Sequence, residues 1–292
     1  MKVLLFGAGY LGKKIMRSKG HHNIESINLS ERKISSAQDI NNELFTYQPD
    51  VVINTIAKTG KPNVDWCESN KGQTLFSNTT IPLMIFDACK AAGVQMVHIG
   101  TGCLYRSNSK LYNNNYSTSS NYQKFSESDE ANFLQGYYSK TKYYADCLLA
   151  DHDVLILRPR QMFDGNQNER NLICKLIKYR KLIDTPNSMV YIPDLIVAMF
   201  KLIEANYKGV FNVVNAGVTT PYEIMCLYRE IVDPEHSFSQ LASIAELDKL
   251  TRSPRTDCLL NISKLEKAIG ESMPNVKSRI ISSLNQLSTN IS

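Results

Sequence analysis

Tyr138 and Lys142, in the stretch YSKTK, are four residues apart, the spacing that puts two side chains on one face of a helix. A phenol with a pKa of about 10 exchanges protons poorly at neutral pH, and an ammonium one turn away favours its anion by Coulomb attraction. Such a pair can hand a proton to a substrate oxygen. Thr101, just after the apolar run QMVHIG, offers a hydroxyl to the same oxygen. Cys103 follows two residues later, in TGCLY. A thiol has no part in that transfer. It is either a small core residue or a second acid-base group, because a nearby cation can make a thiolate usable as a base.

A second constellation lies in FGAGYLG, where Gly7, Gly9 and Gly12 fall between an apolar run and a helical pattern. Gly7 allows a tight turn, Gly9 a close backbone approach to a pyrophosphate, and Gly12 close packing of helix on strand. The next β-rich run ends at Asn28 rather than at the acidic residue that would hold a ribose 2′-hydroxyl, and Arg32 and Lys33 follow. That pattern favours a 2′-phosphate, and so NADP over NAD; an ordinary solvated loop is the alternative.

The elements that must position these groups alternate along the first half. β-rich runs at 2–6, 24–28, 50–55, 95–100 and 154–159 are separated by helical patterns at 10–18, 37–48, 79–93 and 137–150. The expected class is α/β: a doubly wound parallel Rossmann sheet in residues 1–158, then a smaller C-terminal substrate lobe in 159–292, with part of 184–215 returning to the main sheet. The polar, aperiodic segment 106–123 reads as a flap over a site or as a surface insert.

Composition sets bounds. The 292 residues are 43% hydrophobic and 21% charged, which excludes disorder. A net charge of +5 suits an anionic small ligand and is too small and scattered for nucleic acid. Seven cysteines without a C-x-x-C pair and five histidines without H-x-x-x-H spacing give no reason to expect a metal. Unpatterned thiols point to a reducing, cytoplasmic setting. The opening apolar run is too short for a leader, and no window approaches the roughly 18 apolar residues of a membrane span.

Taken in this order, the glycine loop, Thr101 and Tyr-x-x-x-Lys resemble the extended short-chain dehydrogenases/reductases. The stretches TGKPNVDWCES (59–69), TGCLY (101–105), YSKTK (138–142), RNLICK (170–175), PNSM (186–189) and SPR (253–255) make the chain similar to the 3,5-epimerase/4-reductases of UDP-L-rhamnose synthesis. It is more distantly similar to dTDP-4-dehydrorhamnose reductases and GDP-fucose synthases. The glycine loop is one residue tighter than the G-x-x-G-x-x-G usual among them. The resemblance implies NADPH, with NADH weaker, and a UDP-linked 4-keto-6-deoxyhexose as substrate. It also implies that Cys103 and Lys175 invert C3 and C5, whose protons are acidic beside the C4 ketone, before Tyr138, Lys142 and Thr101 assist reduction. Read from the residues alone, Lys175 would be a surface lysine like Lys178.

The resemblance further places Tyr10, Leu11, Ala57 and Lys142 at the cofactor. Asn63, Trp66, Glu68, Asn78, Arg160, Asn187 and Arg255 are expected at the nucleotide or sugar, although packing, capping or ion pairing would explain each as well. A reductase without epimerase activity and a non-catalytic NADP-binding subunit are the rival expectations. A homodimer is compatible with all of them.

Overall fold

The computed structural model describes residues 1–18, 24–30, 32–107 and 123–289. Most of the segment read as a flap or insert therefore lies outside the described residues. Among those described, the largest sheet comprises β1 (Lys2–Phe6), β2 (Ser26–Ser30), β3 (Val51–Asn54), β4 (Gln95–Ile99), β6 (Val154–Pro159) and β10 (Gly209–Val213), in the order β10-β6-β4-β3-β1-β2. β1 pairs in parallel with β2 and β3, and β4 with β3 and β6. β3 and β6 are buried along their whole length, as continuous apolar runs such as VVIN and VLILRP require.

Helices α1 (Tyr10–Arg17), α2 (Ala37–Tyr47), α3 (Asp65–Ser69), α4 (Lys71–Leu75), α5 (Ile81–Ala92) and α6 (Tyr137–Ala150) connect these strands. A π turn at Phe76–Thr80 leads into α5, which ends on Gly93 at φ 67°. Leu4, Phe6, Ile40, Val52, Ile85, Met96, Leu149 and Ile156 form the common core. This is the expected Rossmann-type parallel sheet. One boundary differs. The second strand was expected at 24–28, but the parallel register pairs Lys2 with Ser26 and Phe6 with Ser30, carrying β2 two residues further.

Three short parallel pairs complete the β structure: β5 (Lys124–Phe125) with β12 (Leu259–Leu260), β7 (Met162–Phe163) with β9 (Val190–Tyr191), and β8 (Lys181–Ile183) with β11 (Ser239–Leu241). The remaining helices are α7 (Leu172–Leu176), α8 (Ile192–Glu204), α9 (Pro221–Ile231), α10 (Ile244–Leu250), α11 (Ser263–Ile269) and α12 (Val276–Thr289). The chain divides into two compact units. The first is Met1–Thr101, Leu134–Arg158 and Ile196–Phe211; the second is Gly102–Phe133, Pro159–Leu195 and Asn212–Ser292. Besides the expected boundary at 158 and the expected return of part of 184–215, within which Ile196–Phe211 falls, this division puts Gly102–Phe133 in the second unit, where β5 pairs with β12. The second unit has its own core, including Phe163, Leu182, Met225, Tyr228, Ile280 and Leu284. No helix among the described residues is long and apolar enough to cross a membrane.

Candidate active site

In the first unit, the strand order reverses direction around β1, with β2 on one side and β3 on the other. The crevice beyond the carboxyl ends at such a point is where doubly wound sheets take their ligands. Gly7 there has φ 109°, and a Cβ on it would strike Thr55 and the Ile56 backbone. A Cβ on Gly12 would collide with the Gly7 carbonyl oxygen. Gly9 caps α1 and faces open space, so a ligand can approach its backbone directly. Thr55 locks the turn by donating to the Phe6 and Gly7 carbonyls at 3.0 and 2.9 Å. A dinucleotide fits this cradle.

The shift of β2 changes which residue ends the strand. Asn28 lies opposite Leu4 inside the strand, and Ser30 takes the strand end, buried, with no hydrogen-bond partner for its hydroxyl among the described residues. Sequence reasoning missed Ser30 because it placed the strand end two residues early. Arg32 is half exposed and its Nε lies 3.2 Å from Glu43 Oε1, so its charge is already shared; Lys33 is exposed. Tyr10 and Leu11 open α1, and Ala57 is exposed beyond β3.

The residues expected to serve reduction lie in the same unit. Thr101 follows β4 and is 4% exposed. α6 carries Tyr138, partly exposed, and Lys142, fully buried. Lys142 Nζ donates to the Ile99 carbonyl at 2.7 Å and lies 3.1 Å from His98 Nε2. Burial lowers the Lys142 pKa to about 8, against the attraction of Asp146 one turn on. His98 is held well below its ordinary value, first by burial and then by the Lys142 charge. Asp146 is raised by burial, although Arg158 donates to it at 2.9 Å. Its carboxylate also packs where a Cβ on Gly100 would be.

Two residues expected at the substrate, Glu68 and Asn78, hold α6. Glu68 Oε1 accepts the Tyr137 backbone N–H at 2.8 Å, placing a carboxylate at the helix N-terminus. Asn78 is fully buried; its amide donates to Lys58 O and Thr141 Oγ1 and accepts the Lys58 N–H. Asn63 caps its own turn by accepting the Asp65 N–H at 2.9 Å, and Trp66, partly exposed, packs where a side chain on Gly60 would be.

The second unit holds the thiol. Arg160 is 1% exposed; Nη1 donates to Cys103 Sγ at 3.3 Å and to Thr256 Oγ1 at 2.6 Å, and Nη2 donates to Asn187 Oδ1 at 2.6 Å and to Thr256 O at 2.7 Å. Arg160 and Asn187 thus brace the interior beside Cys103, and Thr256 is a member that sequence reasoning missed. Lys175, on α7, is partly buried and lowered by burial and by the Arg170 charge, with Glu169 opposing; Lys178 is exposed. Arg255 is partly exposed and donates to Ser253 O at 2.7 Å. Among the described residues, no group of three or more His, Cys, Asp or Glu could hold a metal ion.

Comparison with known proteins agrees with the fold. The RmlD substrate binding domain family matches residues 1–289. A bifunctional dTDP-4-dehydrorhamnose 3,5-epimerase/dTDP-4-dehydrorhamnose reductase of Arabidopsis thaliana is 32% identical over 251 residues, 85% of this chain and 81% of that protein. A trifunctional UDP-glucose 4,6-dehydratase/UDP-4-keto-6-deoxy-D-glucose 3,5-epimerase/UDP-4-keto-L-rhamnose-reductase of the same plant is 30% identical over 93% of this chain, which spans only 40% of its length. The crystal structure of the L780 UDP-rhamnose synthase of Acanthamoeba polyphaga mimivirus superposes with a TM-score of 0.86 at 26% identity, covering 98% of this chain and 99% of that one. A dTDP-4-dehydrorhamnose reductase of Bacillus anthracis, solved in complex with NADP, shares the fold at TM-score 0.77 and 17% identity over 100% of this chain and 99% of that one.

Proposed function

From a chain that belongs to the RmlD substrate binding domain family, we propose an NADPH-dependent 3,5-epimerase and 4-reductase that converts UDP-4-keto-6-deoxy-D-glucose to UDP-L-rhamnose. Cys103 removes a ring proton beside the ketone, leaving an enolate, and Lys175 returns a proton to the opposite face, which inverts the carbon. Tyr138 then protonates O4 as the carbonyl becomes a hydroxyl, while Thr101 hydrogen-bonds the same oxygen and the Lys142 charge favours the phenolate left behind. NADPH, when bound, supplies the hydride received by C4. The Gly7–Gly12 turn holds its pyrophosphate, and Ser30 and Arg32 face its ribose phosphate. Trp66 and Arg255, both partly exposed, are assigned to the substrate, with Asn63 shaping the loop before Trp66 and Asn187 holding Arg160.

One observation supports this reading: two residues after Thr101, which is assigned to the reductive set, the Cys103 sulfur accepts from a buried guanidinium. The names of the two plant relatives support pairing the two activities. The test is purified protein with UDP-4-keto-6-deoxyglucose and NADPH, the product identified by NMR. UDP-L-rhamnose is the expected product. A 4-reduced sugar with C3 and C5 unchanged would leave a reductase alone. In the same assay Tyr138→Phe should cut reduction by roughly 10²- to 10⁴-fold and preserve deuterium exchange at C3 and C5; near-normal NADPH oxidation would remove Tyr138 from the role of acid.

A further inference from the structure

The buried polar groups behind Lys142 form a chain whose hydrogen-bond directions can be worked out. Asn54 Oδ1 accepts the Ile56 backbone N–H at 2.9 Å. A backbone N–H can only donate, so the amide orientation is fixed, and Asn54 Nδ2 must face His98 Nδ1, 3.2 Å away. An amide nitrogen only donates, which makes Nδ1 the acceptor and places the proton of the neutral ring on Nε2. Nε2 faces Lys142 Nζ at 3.1 Å. Both rings of contact are sealed: Asn54 and His98 are fully buried.

We infer that His98 is a positioning residue for Lys142, its tautomer set by Asn54 so that an Nε2–H points at the lysine nitrogen and favours the neutral amine. The inference rests on the proposed role of Lys142 beside Tyr138. An ammonium at Lys142 has no lone pair to accept from Nε2–H; moving the ring proton to Nδ1 would set it against the Asn54 amide hydrogens. Either way the charged form keeps two donors facing each other. The neutral amine accepts from Nε2–H while still donating to Ile99 O.

Asp146, one turn on in α6, acts on this nitrogen by its charge and is itself paired with Arg158 from β6; Tyr138 stands one turn before it on the same helix. Burial lowers the Lys142 pKa to about 8 against the pull of Asp146, and an Nε2–H on His98 acts in the same direction as burial. In this arrangement His98 sets how much positive charge Lys142 carries one turn from Tyr138.

The test uses the full chain without substrate. Nitrogen-15 spectra of histidine-labelled protein, with the His98 signal identified by its absence in His98→Gln, should show Nε2 protonated and Nδ1 bare on both sides of neutral pH. Asn54→Asp replaces the donor with an acceptor and should move the proton to Nδ1. In protein labelled at lysine Cε, Lys142 should titrate roughly one pH unit higher in His98→Gln, whose side-chain oxygen can accept from the ammonium, and the alkaline limb of the reduction rate should rise with it. A native His98 protonated at Nδ1 overturns the inference, as does an unchanged Lys142 titration in His98→Gln. The spectra need no substrate, so undiminished reduction in Tyr138→Phe would count against the functional reading alone.

Discussion

The Arg160 guanidinium donates to the Cys103 sulfur across 3.3 Å while its other Nη hydrogens tie Asn187 and Thr256. A sulfur filling a gap in an apolar core has no such partner. Cys103 is also only partly buried, on a segment where Gly102 is pinned by a backbone bond to Pro159 and a side chain would meet Leu260 and Arg160. Serine at 103 would keep an acceptor for the guanidinium, so the variant should fold and bind NADPH. Its hydroxyl is too weak an acid to give a useful anion at neutral pH. Cys103→Ser should still reduce a 4-keto sugar already inverted at C3 and C5, yet take up almost no deuterium into UDP-4-keto-6-deoxyglucose in D₂O. Uptake at the native rate would return Cys103 to a packing role.

Arg160 itself should be costly to remove. Arg160→Met leaves Asn187 Oδ1, Thr256 O and the Cys103 sulfur without their cation in a buried place, and each lost charged hydrogen bond is worth about 1.5–3 kcal/mol. Chemical denaturation should show a loss of about 3–5 kcal/mol. Arg160→Lys should recover less than half of it, because a single ammonium cannot reproduce the planar fork. A loss below about 1 kcal/mol would mean the network is not holding this part of the unit.

What the sequence made legible follows from how each signal is written in it. Tyr138 and Lys142 were found because helical spacing puts both on one face, and the glycine loop because backbone geometry at Gly7 and Gly12 admits no side chain. Ser30 was hidden by register. A strand end is set by its neighbour, here Phe6 opposite Ser30, and no local residue announces it. His98 and Asn54 were hidden inside apolar strands, although a histidine in QMVHI had to find a buried partner once that strand was assigned. Glu68 and Asn78 also make contacts that the sequence did not announce. Their motif marks them, but only the fold shows one capping α6 and the other bracing it.

Cofactor choice should turn on Ser30 and Arg32. An acidic residue at the end of β2 would bind the two ribose hydroxyls and repel a 2′-phosphate. Ser30→Asp should therefore weaken NADPH binding at least about tenfold, the equivalent of about 1.4 kcal/mol, and leave NADH unchanged or tighter. Arg32→Ala should narrow the gap by a smaller factor, because its guanidinium is half exposed and shared with Glu43. Fluorescence titration of both cofactors measures this. Equal affinity of the native protein for NADPH and NADH would sink the assignment.

Asp257 gives a pH signature. It is 1% exposed, and its carboxylate lacks a hydrogen-bond partner among the described residues; Arg106 Nε is 3.8 Å away. Burial pushes its pKa from 3.8 up to about 6, against the pull of Arg160 and Arg106. The folded protein then binds a proton more tightly than the unfolded chain, so the group costs stability as pH rises from 4 to 6 and the full cost persists above 6. Asparagine mimics the neutral acid. Asp257→Asn should match the native protein below pH 4 and exceed it above pH 6, by no more than about 3 kcal/mol. A variant less stable than the native protein at pH 7 would show that the two arginines outweigh burial.

The last prediction concerns the helix that carries the reductive pair. α6 has no side-chain cap of its own at Gly136, and its first free backbone N–H, at Tyr137, is taken by Glu68 from α3. That bond fixes where α6 begins, and so where Tyr138 and Lys142 stand on its first turns. Its negative charge also suits the positive end of the helix. Glu68→Ala should lose about 1 kcal/mol of stability, the usual cost of a missing cap, and its larger effect should be on the turnover of reduction. Glu68→Gln keeps an acceptor oxygen and should restore most of the rate. If Glu68 instead bound the sugar, alanine would raise KM for the nucleotide sugar and leave thermal stability and turnover alone. Measuring all three quantities in both variants separates the two roles.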